Sequence, residues 1–161
     1  MTKQEFLAMS LPYGLKMCYT YENRIDIQTL LPMHFDCKCQ LVNERGKPVL
    51  RPLSDLTKPI EHNGEKFIPA LELVKLEEKY NHWKEIAPTI PYDIKIINKP
   101  FGKVLKVSKV EHWVIYLSLN EIERAKYYIV SQLIKWHFDM ADLISKGEAI
   151  DVNTLEINPY K

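Results

Sequence analysis

Glycine is scarce in this sequence: there are 5 in 161 residues. A phosphate cradle brings several backbone amides close to one anion, and glycines spread this thinly build one poorly. There is no Gly-rich phosphate loop, no Gly-x-Ser-x-Gly elbow and no His-Glu-x-x-His. A surplus of charge of one sign is missing as well. Lys and Arg number 22 and Asp and Glu 21, leaving a net charge of +1. Phosphate contacts dominate affinity for duplex nucleic acid, so a dedicated duplex binder shows a strong basic excess. Long apolar runs are absent too. The longest stretch without a charge, Phe6 to Leu15, is broken by Pro12 and Gly14, and it falls far short of the roughly 20 apolar residues that cross a bilayer. Glu5 stands where a secretion signal begins its apolar core, so neither a signal nor a membrane anchor is expected. Cysteine is limited to 3 residues, an odd number, and Cys37 and Cys39 are one residue apart, a spacing that suits no common bridge. A reducing cytoplasm is the expected setting.

What is present is ordinary globular material. Hydrophobic residues make up 46% and charged residues 27%, which excludes a disordered chain. A chain of this length hides close to 70% of its unfolded surface, so a core forms without disulfides or metals. One domain over residues 1–161 is the expectation, with a minor seam at 87–92 where Pro88 and Pro91 force an extended connector.

Local patterns set the elements. Thr2 to Glu5 is a capping box for a short helix that stops near Ser10, because Leu11 precedes Pro12. Leu15 to Tyr21 alternates as a half-buried strand, and Ile25 to Leu31 returns beside it. Gln40 to Val42 and Val49 to Leu53 read as a second hairpin, its Asn43-Glu-Arg-Gly46 turn closed by a left-handed glycine. Asn63-Gly64 between Ile60–His62 and Lys66–Ile68 is the strongest hairpin signal in the chain. Pro69 opens a helix whose stripe runs through Leu73, Leu76, Tyr80, Trp83 and Ala87. Strands follow over Tyr92–Ile97, Val104–Val107 and Trp113–Leu117, the first two joined by the turn Asn98-Lys-Pro-Phe-Gly102. Ser118 to Glu121 is a second capping box. It predicts the longest helix, roughly Leu119 to Lys146, striped by Ile122, Ala125, Ile129, Leu133, Trp136, Met140 and Leu143 and ended by Gly147. Beyond Gly147 the chain fades into a polar tail. The fold class is α+β: antiparallel, hairpin-built sheet covered by two amphipathic helices, the longest near the C-terminus. No βαβ alternation points to a dinucleotide fold.

Three groups of residues carry potential chemistry. Cys18, His34, Cys37 and Cys39 supply the ligand types zinc prefers, His34-x-x-Cys37-x-Cys39 holding one side of a tetrahedron and Cys18 closing it across a hairpin. The spacing is not the Cys-x-x-Cys knuckle, and small buried hydrophobes account for the same cysteines. No cofactor is therefore expected, zinc being the one candidate. A thiol nucleophile has no evident partner base. In Trp136-His-Phe-Asp139, His137 and Asp139 tempt one to assign a base and its orienter. Two residues on a helix are separated by about 200°, so a core tryptophan between two boundary polar residues is the plainer reading, with His137 kept as a binding candidate. Lys95, Lys99, Lys103, Lys106 and Lys109 cluster near Phe101 and Trp113. Lysines with aromatics hold single strands by charge and stacking, which makes Lys99, Phe101, Lys103 and Lys106 candidates. Lys103 and Lys106 fall on opposite sides of a strand, however, and lysine also protects sheet edges. His62, His82 and His112 are isolated.

The opening Glu5-Phe-Leu-Ala-Met-Ser-Leu-Pro-Tyr-Gly-Leu15 and the closing stretch from Trp136-His-Phe-Asp139 through Leu143-Ile-Ser-Lys-Gly147 to Ala149-Ile-Asp-Val-Asn-Thr-Leu155 resemble small uncharacterised proteins of prophages and mobile elements in Bacteroidetes gut bacteria. The resemblance implies a phage-derived accessory protein in the cytoplasm of a bacterial host. It implies no catalytic residue.

With no acid, base or nucleophile set at recognisable spacing, the sequence favours a non-enzymatic module that binds protein, a second copy of itself, or nucleic acid. The alternatives are single-stranded nucleic-acid binding through Lys95–Lys109 and a small metal- or thiol-dependent enzyme built on Cys18, His34, Cys37 and Cys39.

Overall fold

The computed structural model describes residues 1–22, 24–35, 46–81, 93–99, 102–109, 113–118 and 127–161, and from residue 77 to 118 it describes the backbone alone. The chain is mixed α/β with mainly antiparallel sheets. It divides into two compact units, Met1–Leu53 with Leu133–Lys161, and Ser54–Gln132.

The first unit opens with the capping box. The Thr2 hydroxyl accepts from the Glu5 N–H at 3.2 Å, and the Thr2 N–H donates to the Glu5 carboxylate at 2.7 Å, launching helix α1, Lys3–Ser10. These bonds to Thr2 hold the Glu5 carboxyl below its usual range. Gly14, with φ 68°, turns the chain left-handed into strand β1, Lys16–Tyr21. Strand β2, Arg24–Thr29, returns antiparallel in the register Cys18↔Ile27. Strand β3, Gly46–Leu50, lies on the other side of β1 with Cys18 opposite Lys47.

Gly46 opens this strand and is not among the residues with positive φ, so the left-handed turn glycine expected there is corrected. Its role is a close approach. A Cβ on Gly46 would stand 2.7 Å from the Tyr19 ring, which lies over the strand. The proposed partner strand Gln40–Val42 and the rest of that turn lie outside the described residues.

In the second unit the hairpin forms as its turn chemistry dictates. Strand β4, Ile60–His62, and strand β5, Glu65–Phe67, meet across Asn63 (φ 51°) and Gly64 (φ 81°), the paired positive angles of a type I′ turn. Helix α2, Pro69–Asn81, follows and buries Ala70, Leu73 and Val74. Trp83, Ala87 and the seam at 87–92 lie outside the described residues. Strands β6 (Asp93–Lys99), β7 (Gly102–Lys109) and β8 (Trp113–Ser118) form an antiparallel sheet in that order. Asn98 and Lys99 belong to β6 rather than to a five-residue turn, because Lys99 pairs directly with Gly102.

The largest correction concerns the last helix. Helix α3, Tyr127–Lys135, stops well before Lys146, and α2 is the longest helix among the described residues. The capping box at Ser118–Glu121 and the stripe residues Ile122 and Ala125 lie outside the described residues. The stop is a Schellman motif. His137 adopts φ 62°, its N–H donates to the Ile134 carbonyl at 2.9 Å, and the Phe138 N–H reaches back to the Leu133 carbonyl at 3.0 Å. A second motif of the same kind ends one further turn at Gly147, with Glu148 N–H on the Leu143 carbonyl at 2.8 Å. The apolar periodicity persists through the break because Trp136, Met140 and Leu143 are all buried. Burial alone does not distinguish a continuous helix from two capped turns.

The tail does not fade into solvent either. Strand β9, Ile150–Asp151, joins β3 in parallel, completing the sheet order β2-β1-β3-β9. Tyr160, one residue from the end of the chain, is buried.

Candidate functional site

Polar residues collect around the C-terminal end of β3 in the first unit. Beyond Leu50, Arg51 continues the parallel pairing as a bridge to Phe138: its N–H donates to the His137 carbonyl at 2.8 Å, and its carbonyl accepts from the Asp139 N–H at 2.9 Å. This bridge draws the post-helical turn against the sheet, with Arg51, His137 and Asp139 all buried.

Tyr160 enters from the tail. Its hydroxyl accepts from the Lys16 N–H at 3.1 Å and donates to the Val49 carbonyl at 2.7 Å. Lys16 and Val49 are the next facing pair beyond Met17↔Pro48, where the β1–β3 ladder ends. The phenol therefore stands where a direct backbone bond would otherwise continue the sheet. Its ring stacks on His137, centroids 4.2 Å apart, and the Arg51 guanidinium lies 5.5 Å from the ring centroid. Burial pushes the hydroxyl far above the ordinary tyrosine range, against smaller downward effects of the Lys16 backbone bond and the Arg51 charge. On one side the ring joins Cys18, Val49 and Val152 in a small apolar cluster.

Asp139 has a separate task. Both carboxylate oxygens accept backbone N–H groups, from Leu143 and Ile144, each at 2.8 Å. It caps the helical turn that ends at Gly147. Its oxygens are turned to the backbone, not to the imidazole of His137, so the pair is no base-and-orienter couple. His137 lies beyond the end of α3, so the pair is not separated by a helical rotation. Arg51 and Tyr160 went unnoticed in the sequence. The one signal for Tyr160 was an aromatic near the end of a polar tail.

The other candidates scatter. Cys18 is a buried free thiol in β1, its pKa pushed up by burial against weaker effects of Thr20 and Lys47. A raised pKa leaves little thiolate and a poor nucleophile. His34 sits in the 3-10 turn Pro32–His34, its Nδ1 accepting from the Leu31 N–H at 3.0 Å. Cys37, Cys39, Phe101, His82 and His112 lie outside the described residues. No group of three or more metal-ligating side chains occurs among the described residues. His62 is buried in β4. Lys95 pairs in register with Lys106, and Lys106 with Tyr116, so those three positions form one row across the sheet, while Lys103 pairs with Asn98 and Lys99 with Gly102.

At β2 the polarity inverts. Strand β2 has β1 as its one neighbour among the described residues. Ile25 is 61% exposed and Ile27 36%, and Tyr21, Leu31 and Met33 nearby are exposed too. Among the described residues no helix is long and apolar enough to cross a membrane. The chain matches no protein-family model and has no significant match among curated proteins or solved structures.

Proposed function

We propose that the chain is a non-enzymatic interaction module, and that its working surface is the β2 side of the first unit. The observation that supports this most is the placement of apolar groups. Ile25 and Ile27, on one face of the strand that has β1 as its one neighbour among the described residues, stand in water, whereas the buried polar groups around the end of β3 hold backbone. Exposed apolar clusters of this kind mark surfaces that associate. A phage-derived accessory role in a bacterial cytoplasm fits the module and rests on the resemblance of the chain's two ends. The test is in-cell crosslinking of the native chain beside an Ile25→Lys/Ile27→Lys variant. Crosslinked partners that vanish with the variant support the proposal; an identical set in both contradicts it.

A second reading has its own observation. The row Lys95, Lys106, Tyr116 places two cations at directly opposed positions beside an aromatic. Opposed like charges cost stability unless an anion relieves them. A single strand would supply phosphates to the lysines and a base to stack on Tyr116. Titration with labelled oligonucleotides at two salt concentrations tests it: affinity that falls with salt supports it, and no affinity at low salt removes it.

A further inference from the structure

We infer that β2 pairs antiparallel, about a two-fold axis, with β2 of a second copy of this chain, Ile27 opposite Ile27. The inference deepens the interaction-module reading and rests on it.

The phase of the ladder comes first. The Leu30 N–H donates to the Leu15 carbonyl at 2.7 Å. Hydrogen-bonded pairs alternate along an antiparallel ladder, so Met17↔Gln28, Tyr19↔Asp26 and Tyr21↔Arg24 are the bonded pairs toward β1. Ile25, Ile27 and Thr29 therefore turn their backbone N–H and C=O groups outward from the sheet. Natural edges are blunted with lysine, proline or bulges. β2, Arg-Ile-Asp-Ile-Gln-Thr, carries neither residue, and its pairing with β1 is unbroken from Arg24 to Thr29.

Register follows from charge. A symmetric antiparallel partner must bond through the outward-facing residues, which restricts the choice. Setting Ile25 opposite Ile27 puts Asp26 opposite Asp26, a directly opposed like pair, which is unfavourable. Centring on Ile25 engages the strand only from Arg24 to Asp26, and moving Ile27 opposite Thr29 abandons Ile25. With Ile27 on the axis, Ile25 faces Thr29 and Asp26 faces Gln28. Every outward group is used and no like charges meet. Gln28 Nε2 already donates to Asp26 within the chain, at 2.7 Å, and the same donor and acceptor are complementary across the axis. The exposed Ile25 and Ile27 of both copies then form one continuous apolar row. A two-fold contact of this kind closes on itself and does not propagate into a fibre.

The test is sedimentation equilibrium of the full chain over a wide concentration range, with thermal melts confirming that each variant folds. The native chain is expected to show a monomer–dimer equilibrium. Gln28→Asp sets a carboxylate opposite Asp26 at two symmetric places and weakens the dimer about two- to thirtyfold. Adding Asp26→Lys to it restores the affinity by opposing unlike charges. Ile27→Lys yields a folded monomer. A native chain that stays monomeric, or a dimer indifferent to these variants, overturns the pairing. A monomer that still loses its in-cell partners in the Ile25→Lys/Ile27→Lys variant overturns self-pairing while leaving the module reading intact. Loss of neither brings down both.

Discussion

Two regions of the first unit's sheet make opposite use of polarity. Around the end of β3, Arg51, His137, Asp139 and Tyr160 are buried, and the Asp139 and Tyr160 oxygens hold backbone groups. At β2, which has β1 as its one neighbour among the described residues, Ile25 and Ile27 are exposed. Buried polar groups cost free energy unless bonded, and exposed apolar groups forgo a gain unless covered. The Asp139 and Tyr160 oxygens have their bonds within the chain; the β2 isoleucines are left exposed, and the proposed reading covers them with a partner.

Substitution sharpens this contrast, most of all at Tyr160. Tyr160→Ala removes a buried ring and both hydroxyl bonds and is expected to cost about 3–5 kcal/mol in denaturant unfolding. Tyr160→Phe keeps the ring but leaves the Lys16 N–H and Val49 carbonyl unbridged, at about 1–3 kcal/mol. Ile25→Ser on β2 is expected to change monomer stability by less than about 0.5 kcal/mol. Equal losses at the two places would erase the contrast.

Gly46→Ala forces a methyl against the Tyr19 ring and is expected to destabilise by about 1–3 kcal/mol, read as a lower melting midpoint. Asp139→Ala should cost about 1–2 kcal/mol by uncapping Leu143 and Ile144, and Asp139→Asn less, because one oxygen still accepts. An enzyme carboxylate would show the reverse pattern, with loss of activity but little loss of stability.

pH gives a smaller, signed effect. The Tyr160 hydroxyl is raised by burial in the folded chain. Its contribution to stability is whole below the unfolded tyrosine value of about 10, and it is lost as pH rises from there toward the folded value, because the unfolded chain ionises first. Chemical denaturation in the alkaline range should show native stability falling with pH and Tyr160→Phe falling less steeply. His137 gives a further small effect. His137→Gly relieves a left-handed backbone while losing a stack, so its melting temperature should stay near native, whereas His137→Ala loses the stack with no relief, about 0.5–1.5 kcal/mol.

Local signals in the sequence were legible where the chemistry is local. The Thr2–Glu5 box, the Asn63-Gly64 turn, Pro69 and the alternation of β1 each act within a few residues, and each forms its element. What failed to read is long-range. The break after Lys135 depends on His137 accepting a left-handed φ, uncommon for a non-glycine residue, where Arg51 and Tyr160 contact it. Tyr160 completes a ladder between residues more than a hundred positions away, and no periodicity announces that. Gly46 looked like a turn glycine because the ring that needs its missing Cβ belongs to another strand. Of the candidate residues, His137 and Cys18 proved to be packed inside, while the exposed β2 isoleucines were read only as a returning strand.

Amide hydrogen exchange along β2, followed by NMR as protein concentration rises, tests the central claim most directly. Arg24, Asp26 and Gln28, bonded toward β1, should be protected at every concentration. Ile25, Ile27 and Thr29 should exchange freely in dilute solution and gain protection together as the chain is concentrated. Outward amides that exchange at one fast rate at all concentrations would contradict the account.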